Sequence, residues 1–149
     1  MRRIGITTTV PSEVIWAAGF SPVDLNNLFI ASPDRDRYIK LAEREGYPRN
    51  VCGWIKGIYG VIMEQDMAGV ITVMEGDCSN TQALAEILRY RGVRTIPFSF
   101  PYDRDREVLA REIEKLGREL SVERVPLAEV EARIAGVREK LSEIDTMTW

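Results

Sequence analysis

In the first 120 positions, short apolar runs alternate with segments whose apolar residues recur at helical spacing. This pattern predicts alternating strands and helices. Short apolar runs predict strands at residues 3–8, 22–25, 70–74 and 94–100. Helical spacing predicts helices at residues 10–18, 32–46, 50–65 and 80–91. Strands that alternate with helices form a parallel sheet with helices on its faces. The pattern therefore predicts an α/β, Rossmann-like three-layer domain with a mostly parallel sheet over residues 1–120.

Proline, glycine and small polar residues mark the predicted helix ends. Pro11 is expected in the first turn of the first helix, because a missing N–H costs little there. Ser32 is expected to cap the second predicted helix. Ser79, followed three residues later by Gln82, forms a capping-box pattern at the start of the last helix of this set. Pro97 predicts that its strand lies near a sheet edge or ends there.

The predicted helix at residues 50–65 is almost wholly apolar, yet it contains Gly53, Gly57 and Gly60. Each glycine costs a helix interior about 1 kcal/mol relative to alanine. One explanation is tight packing of this helix on the sheet. The other is that its backbone approaches a bulky ligand or a partner helix, and the two explanations are compatible.

A C-terminal helical segment is predicted for residues 121–149. It is expected to pack on the preceding helix, or on another domain or subunit, because its apolar stripe is too short for a free coiled coil. No glycine or proline stops it before Trp149, so the helix is expected to continue in a longer parent protein. The residues of the stripe recur three and four positions apart: Leu127, Val130, Ile134, Val137, Leu141 and Ile144.

Composition argues against several classes of function. A formal net charge of −3 gives no basic field to attract nucleic acid. No apolar run approaches the roughly 20 residues that a membrane span needs. The N-terminus lacks the apolar core of a signal peptide. We therefore expect a cytoplasmic protein that binds neither nucleic acid nor membranes.

The chain contains no histidine and only two cysteines. The absence of histidine excludes Ser-His and Cys-His catalytic pairs and histidine metal sites. Two cysteines do not form a disulfide framework, and thiols in a cytosolic chain stay reduced. The chemistry that remains is that of carboxylates, hydroxyls, amines and thiolates.

Cys52 and Cys78 both lie near the starts of predicted helices. Free backbone N–H groups and the positive end of the helix dipole favour a thiolate there. The residues between the cysteines can form a helix and a return strand, so the two thiols are expected to meet at one end of the sheet. A lone cysteine is more often a small buried hydrophobe, but neither cysteine lies on an apolar periodic face. The residues alone leave ligands, a thiol redox pair and plain thiols open.

Other candidates lie near the same predicted edge. Residues 76–80 offer a small anion-binding loop at a helix N-terminus, although they lack the P-loop and dinucleotide motifs. Residues 7–9 are three threonines that end the first strand, where strand propensity and capping also explain them. Glu13 is a candidate catalytic carboxylate, and a solvated first-turn residue favoured by the helix dipole is the competing explanation.

Four stretches of the sequence together resemble the 2-hydroxyacyl-CoA dehydratase D-component family, which includes 2-hydroxyglutaryl-CoA dehydratase and benzoyl-CoA reductase subunits. Their order and spacing agree over roughly residues 4–120. The helical tail resembles the family's connector to a second, similar domain, so the chain resembles only the first part of a family member. The four stretches are VPSEVIWAAGFSPVDL (10–25), NVCGWIKGIYGVIME (50–64), GVITVMEGDCSNTQALAEILR (69–89) and TIPFSFPYD (95–103).

The resemblance implies an iron–sulfur cluster, usually [4Fe-4S], with Cys52 and Cys78 as two of its ligands and a third cysteine in the second domain. Family members are subunits of a dehydratase or reductase that acts on an acyl-CoA. An ATP-dependent activator protein injects one electron, which the cluster passes to the thioester to make a ketyl radical. We then expect Thr9 and Glu13 on the substrate side of the site. Ser79 and Asn80 are expected to cap the helix and to donate to cluster sulfur.

The chain departs from the family pattern because it has no third cysteine. A cluster of this kind is bound by about four thiolates in all. A homologous partner subunit, or a second copy in a two-fold dimer, is expected to supply the rest. The isolated chain is therefore expected to be inactive, as a fragment or as a short relative. The alternative is a cluster-free binding or assembly module with the same fold.

Overall fold

The structure, a computed structural model, describes residues 1–122 and 127–148. Strands and helices alternate except between β2 and β3, where three helices follow one another, and after β4, where two helices follow. In chain order they are β1 (Arg3–Ile6), α1 (Ser12–Ala17), β2 (Ser21–Asp24), α2 (Leu25–Ala31), α3 (Arg35–Arg44), α4 (Gly53–Glu64), β3 (Gly69–Glu75), α5 (Asn80–Tyr90), β4 (Thr95–Ser99), α6 (Arg106–Glu119) and α7 (Leu127–Thr148).

The four strands form one sheet in the order β2-β1-β3-β4, and every neighbouring pair is parallel. Strand β3 is buried on both faces over its first five residues, as its unbroken apolar run predicts. Strand β4 lies at an edge, which confirms the prediction from Pro97 and is where a residue without an N–H does least harm.

Helices cover both faces of the sheet, so the predicted α/β three-layer arrangement is confirmed. On one face, α2 to α5 form a core around Phe29, Tyr59 and Leu84. On the other face, α1 and α6 pack on the sheet through Ile15 and Leu116. Within residues 1–122 and 127–148, no helix is both long enough and apolar enough to cross a membrane.

The connection after β2 differs from the prediction. Residues 22–25 were predicted as a strand with no helix after it, but β2 ends at Asp24 and α2 begins at Leu25. The Asp24 carboxylate caps α2 by accepting hydrogen bonds from the backbone N–H groups of Asn26 and Asn27. Unlike α1, which Pro11 and Gly19 delimit, this short helix follows β2 directly, with no glycine or proline to mark its start.

Two predicted helix starts are also wrong in detail. Helix α1 begins at Ser12, so Pro11 lies at the cap position outside the first turn. Helix α3 begins at Arg35, and Asp34 caps it, with its side chain accepting from the Arg37 N–H at 3.3 Å. Ser32 instead ends α2, because Pro33 after it favours an extended backbone there.

The glycines of α4 allow close contact with two other helices of the same chain. A Cβ atom on Gly57 would lie 2.3 Å from the Phe29 ring of α2. A Cβ atom on Gly60 would lie 2.5 Å from the Tyr38 carbonyl oxygen of α3. The close approach predicted from these glycines therefore exists, and it is to helices α2 and α3 and not to the sheet.

Two polar contacts fix α4 within its largely apolar surroundings. The buried Lys56 ammonium donates to Glu43 Oε1 at 2.7 Å and to the Arg49 carbonyl at 3.0 Å. This hydrogen bond lowers the pKa of the Glu43 carboxyl. One turn later, the hydroxyl of the buried Tyr59 donates to Glu45. Burial, and then the bond to Glu45, raises the pKa of Tyr59 to about 12.

Helix α7 packs on α1, which is not the helix that precedes it in the chain. Val130 is buried, and Arg138 forms an ion pair with Glu13 of α1. Farther along the predicted stripe, Val137, Leu141 and Ile144 are 58–62% exposed. The side chain of Leu127, the first residue of the stripe, lies outside the part of the chain that the structure describes. The proposed domain boundary between residues 120 and 121 stays a prediction.

Replacing Gly60 tests the contact between α4 and α3. Gly60→Ala is expected to lower the free energy of unfolding by about 1–3 kcal/mol, because its Cβ would meet backbone that cannot move aside. Urea unfolding followed by circular dichroism measures this change. Gly136→Ala on α7 is the matched control, because nothing lies within 4 Å of its Cβ position. The control is expected to be stabilised by about 0.5–1 kcal/mol, and equal effects at both positions would contradict the packing argument.

The raised pKa of Tyr59 predicts a loss of stability at alkaline pH. The folded chain holds the phenolic proton up to about pH 12, whereas an unfolded chain releases it near pH 10. The stabilisation is therefore complete below about pH 10 and declines as the pH rises toward 12. Between pH 9 and 11, wild-type protein is expected to lose about 1 kcal/mol relative to Tyr59→Phe. Tyr90→Phe, at an exposed position, is the control and is expected to follow wild type.

Candidate functional site

Cys52 and Cys78 line the same small cavity, about 230 Å³ in volume, at the carboxyl edge of the sheet. The two cysteines therefore lie at the same end of the sheet, as the order of elements predicts. Both are exposed free cysteines. Parallel α/β sheets bind their ligands at this edge. The cavity is accordingly the candidate site, and its other polar lining residues are Thr7, Asn26, Asp77 and Thr81.

Two helix starts position the sulfurs. Cys52 is the cap residue of α4, and its carbonyl accepts from the Lys56 N–H at 3.2 Å. Cys78 lies in the turn between β3 and α5, and its carbonyl accepts from the Thr81 N–H at 2.9 Å. Gly76 begins that turn with φ +90°, a conformation that side-chain-bearing residues rarely adopt. Both of these hydrogen bonds involve the backbone carbonyl of the cysteine and not its thiol.

The capping box predicted from Ser79 and Gln82 is wrong. Ser79 has helical backbone angles and makes no side-chain capping bond. Gln82 donates instead to the Met74 carbonyl at 2.8 Å, across the turn. The Thr81 hydroxyl donates to Asp77 Oδ2 at 3.1 Å. These two bonds close the β3–α5 turn in place of the capping box. Ser79 therefore does not have the capping role that its sequence position suggested.

Asn80 lies beside the Cys78 sulfur. Its amide Nδ2 donates to Cys78 Sγ at 3.3 Å. An amide donor near a thiolate is the kind of neighbour that adjusts the electronic properties of a ligating sulfur. Asn80 thus contacts the Cys78 thiol, whereas for Ser79 the described contacts include no such bond. Donation by Ser79 or Asn80 to cluster sulfur stays a prediction.

An aromatic wall at the cavity was missed by sequence reasoning. Trp54 is 43% exposed, and its indole N–H donates to Asn26 Oδ1 at 2.6 Å. Asn26 in turn donates to the Thr7 carbonyl at 2.8 Å, at the end of β1. Trp54 also meets the Phe29 ring edge-on, with centroids 5.6 Å apart. These contacts tie the start of α4, which carries Cys52, to the ends of β1 and β2.

Thr9 and Glu13 lie outside this cavity. Thr9 is exposed beyond the end of β1, and the cavity is lined from that strand by Thr7. The side chain of Thr7 is buried, and its hydroxyl oxygen accepts from the Val73 N–H at 3.5 Å. Glu13 pairs with Arg138 of α7. The placement of Thr9 and Glu13 on the substrate side stays a prediction.

The donor set suits a metal that prefers thiolate, and it is incomplete. Cys52 and Cys78 offer two exposed sulfurs to one cavity. Over residues 1–122 and 127–148, no three Cys, Asp or Glu side chains are grouped to hold a metal ion. An iron–sulfur cluster takes about four thiolates. The site therefore fits half of a cluster's ligand set, and the other half has to come from outside the described residues.

A family model places the chain among known proteins. The model of the 2-hydroxyglutaryl-CoA dehydratase D-component matches residues 7–136. The match includes both cysteines and extends past residue 120 into α7, beyond the stretch in which the motifs were recognised. No curated protein matches the sequence. The chain belongs to the 2-hydroxyglutaryl-CoA dehydratase D-component family.

Proposed function

We propose that the chain supplies two thiolate ligands, Cys52 and Cys78, to an iron–sulfur cluster of the [4Fe-4S] type in a 2-hydroxyacyl-CoA dehydratase or reductase. The observation that carries this proposal is that both sulfurs line one cavity at the carboxyl edge of the sheet. When bound, the cluster supplies one-electron transfer to the thioester of an acyl-CoA. A separate ATP-dependent activator protein delivers the electron.

The remaining ligands come from another chain in this proposal. Both cysteines are exposed, so sulfurs from a homologous partner subunit or a second copy can approach them. A two-fold dimer of this chain would bring four cysteines to its axis. A thiol redox pair, the competing possibility, would instead need the Cα atoms of the two cysteines to lie within about 7 Å of each other.

Residues around the sulfurs have separate tasks. Asn80 donates to the Cys78 sulfur and stabilises its negative charge. Trp54 and Asn26 hold the start of α4 in place, which fixes Cys52. Trp54 and the neighbouring Ile55 and Ile58 make part of the cavity wall apolar. An apolar wall limits access of water to the sulfurs and thereby influences the potential of a bound cluster.

Anaerobic reconstitution with iron and sulfide tests the ligand assignment. Wild-type protein is expected to gain a broad absorbance near ~400 nm, which is typical of iron–sulfur clusters. In a two-fold dimer that shares one [4Fe-4S] cluster, iron analysis should give about two irons per chain. An added small thiol, such as dithiothreitol in excess, offers the missing ligands if no dimer forms. Cys52→Ala and Cys78→Ala are each expected to lose the absorbance and the bound iron.

The matched control for this reconstitution is Ser79→Ala, next to Cys78. The Ser79 hydroxyl makes no capping bond, so its removal is expected to leave iron loading unchanged. Iron that loads equally into wild type and both cysteine variants would overturn the ligand assignment. A wild-type chain that stays colourless with excess thiol would favour the cluster-free module.

The contact between Asn80 and Cys78 predicts an effect on the reduction potential. A hydrogen bond to a ligating sulfur stabilises the more negative, reduced cluster. Asn80→Ala is therefore expected to lower the potential of the reconstituted cluster while iron loading is retained. Redox titration followed by electron paramagnetic resonance measures this shift. Asn27→Ala, at an exposed position of α2 outside the cavity lining, is the control. A potential that shifts equally in both variants would contradict the role of Asn80.

A further inference from the structure

A surface cavity of about 360 Å³ lies beside the end of α3, apart from the residues of the proposed function. Sites for small molecules have volumes of roughly 300–1,000 Å³, so a compact ligand can occupy it. None of its lining residues lines the cysteine cavity. Charged side chains dominate the wall, which is formed by Lys40, Glu43, Arg44, Tyr47 and Arg49.

Helix α3 brings three of these residues to one face. Lys40, Glu43 and Arg44 are three and four positions apart, so their side chains are neighbours on the helix surface. Like charges four residues apart repel each other, as Lys40 and Arg44 do. The helix dipole favours a cation in the last turn, which accounts for Arg44 but not for Lys40 or Arg49. An anion between the cations would relieve their repulsion.

The buried Lys56 holds the rest of the wall in place. Its ammonium donates to Glu43 Oε1 at 2.7 Å and to the Arg49 carbonyl at 3.0 Å, and the residue is only 3% exposed. Lys56 therefore neutralises the acidic side chain of the wall and fixes the backbone of Arg49 beside it. Tyr47 is also buried, and its ring packs on Tyr59 with centroids 4.9 Å apart, so this part of the wall is rigid.

The cavity concentrates positive charge in a chain whose formal net charge is −3. Lys40, Arg44 and Arg49 form no ion pair with any residue that the structure describes. Because Glu43 is already paired with Lys56, these three cations have no counter-charge in the wall. Arginine binds phosphate oxygens through two parallel N–H groups, and lysine binds them as a point charge. The wall therefore suits a ligand with several negative charges.

The uncharged part of the wall is small. It consists of Tyr47, which is 7% exposed. A nucleobase or another flat apolar group would find little aromatic surface to stack on. The wall therefore favours a compact anion over a nucleotide.

We propose that this cavity binds a compact anion with two phosphate groups, such as inorganic diphosphate. Arg44 and Arg49 bind phosphate oxygens through their guanidinium groups, and Lys40 supplies the third positive charge. Glu43, held by Lys56, does not contact the ligand. This binding requires neither cysteine and is separate from the proposed function.

Isothermal titration calorimetry of the full chain with inorganic diphosphate, in the absence of divalent metal ions, tests this proposal. Sulfate at the same ionic strength is the control for charge screening. Diphosphate is expected to bind at least about tenfold more tightly than sulfate, because its two groups engage three cations. Adenosine diphosphate carries the same group on a nucleoside and is expected to bind no more tightly than inorganic diphosphate.

Nuclear magnetic resonance locates the bound anion. In ¹⁵N-resolved spectra of the full chain, diphosphate is expected to shift the amides of Lys40, Arg44, Tyr47 and Arg49. The amide of Cys78, which lies at the other cavity, is expected to stay unchanged.

Substitutions of opposite sign test the assigned contacts. Arg44→Gln and Arg49→Gln are each expected to weaken diphosphate binding roughly tenfold, the loss typical of a hydrogen bond to a charged group. Glu43→Gln is expected to strengthen binding, because it removes a negative charge while its amide oxygen can still accept from Lys56. Arg35→Gln, exposed at the start of α3 and outside the cavity lining, is the matched control and should bind as wild type does. The same spectra report whether each variant is folded.

Four results would overturn the proposal: sulfate binds as tightly as diphosphate, adenosine diphosphate binds at least about tenfold more tightly than diphosphate, diphosphate does not bind, or Arg35→Gln weakens binding as much as the two cavity variants do. Failure of the cluster assignment is measured separately. Arg44→Gln is expected to keep iron loading, and Cys52→Ala is expected to keep diphosphate binding.

Discussion

All four strands run in the same direction, and this constraint positions the candidate residues that follow the strands. Parallel strands end at one edge of a sheet, so the segments after β1, β2, β3 and β4 meet there. Thr7, Asn26 and Cys78 follow three of these strands and line one cavity. The segment after the fourth strand lines a second cavity at the same edge, about 780 Å³ in volume. One edge of the sheet therefore carries both the thiols and this larger cavity.

Helix α4 is the second determinant, because it carries Cys52 without following a strand. Its position is set by contacts with α2 and α3 that only glycine permits at residues 57 and 60. Lys56 and Tyr59 then fix its rotation through Glu43 and Glu45. The glycines weaken the helix intrinsically, by about 1 kcal/mol each, and close packing offsets this cost. Precise placement of Cys52 is thus a consequence of packing farther along the same helix.

The sequence predicts those features that depend on local spacing. The alternation of strand and helix periods was enough to predict the parallel sheet. The position of both cysteines before helices was enough to predict that they lie at one edge of it. Helix α2 was missed because it is short and follows β2 with no glycine or proline to mark its start. Ser32 was preferred to Asp34 because both are good cap residues beside Pro33. The bond between Trp54 and Asn26 joins residues far apart in the chain, and no local pattern reports it. The apolar stripe of α7 likewise does not reveal that its partner is α1.

The exposure of the two sulfurs connects the fold with the proposed function. A cysteine whose only role is packing in the core is buried. Cys52 and Cys78 are both exposed, at a cavity that Trp54 also lines. The backbone of each cysteine is anchored by a helix start, so their sulfurs are held in place without any bond between them. Such an arrangement would suit a cluster that is bound jointly by these two sulfurs and by sulfurs of a second chain. In the proposed function, these two sulfurs would form one side of the ligand set, and the sulfurs of a partner chain would approach from the exposed side of the cavity.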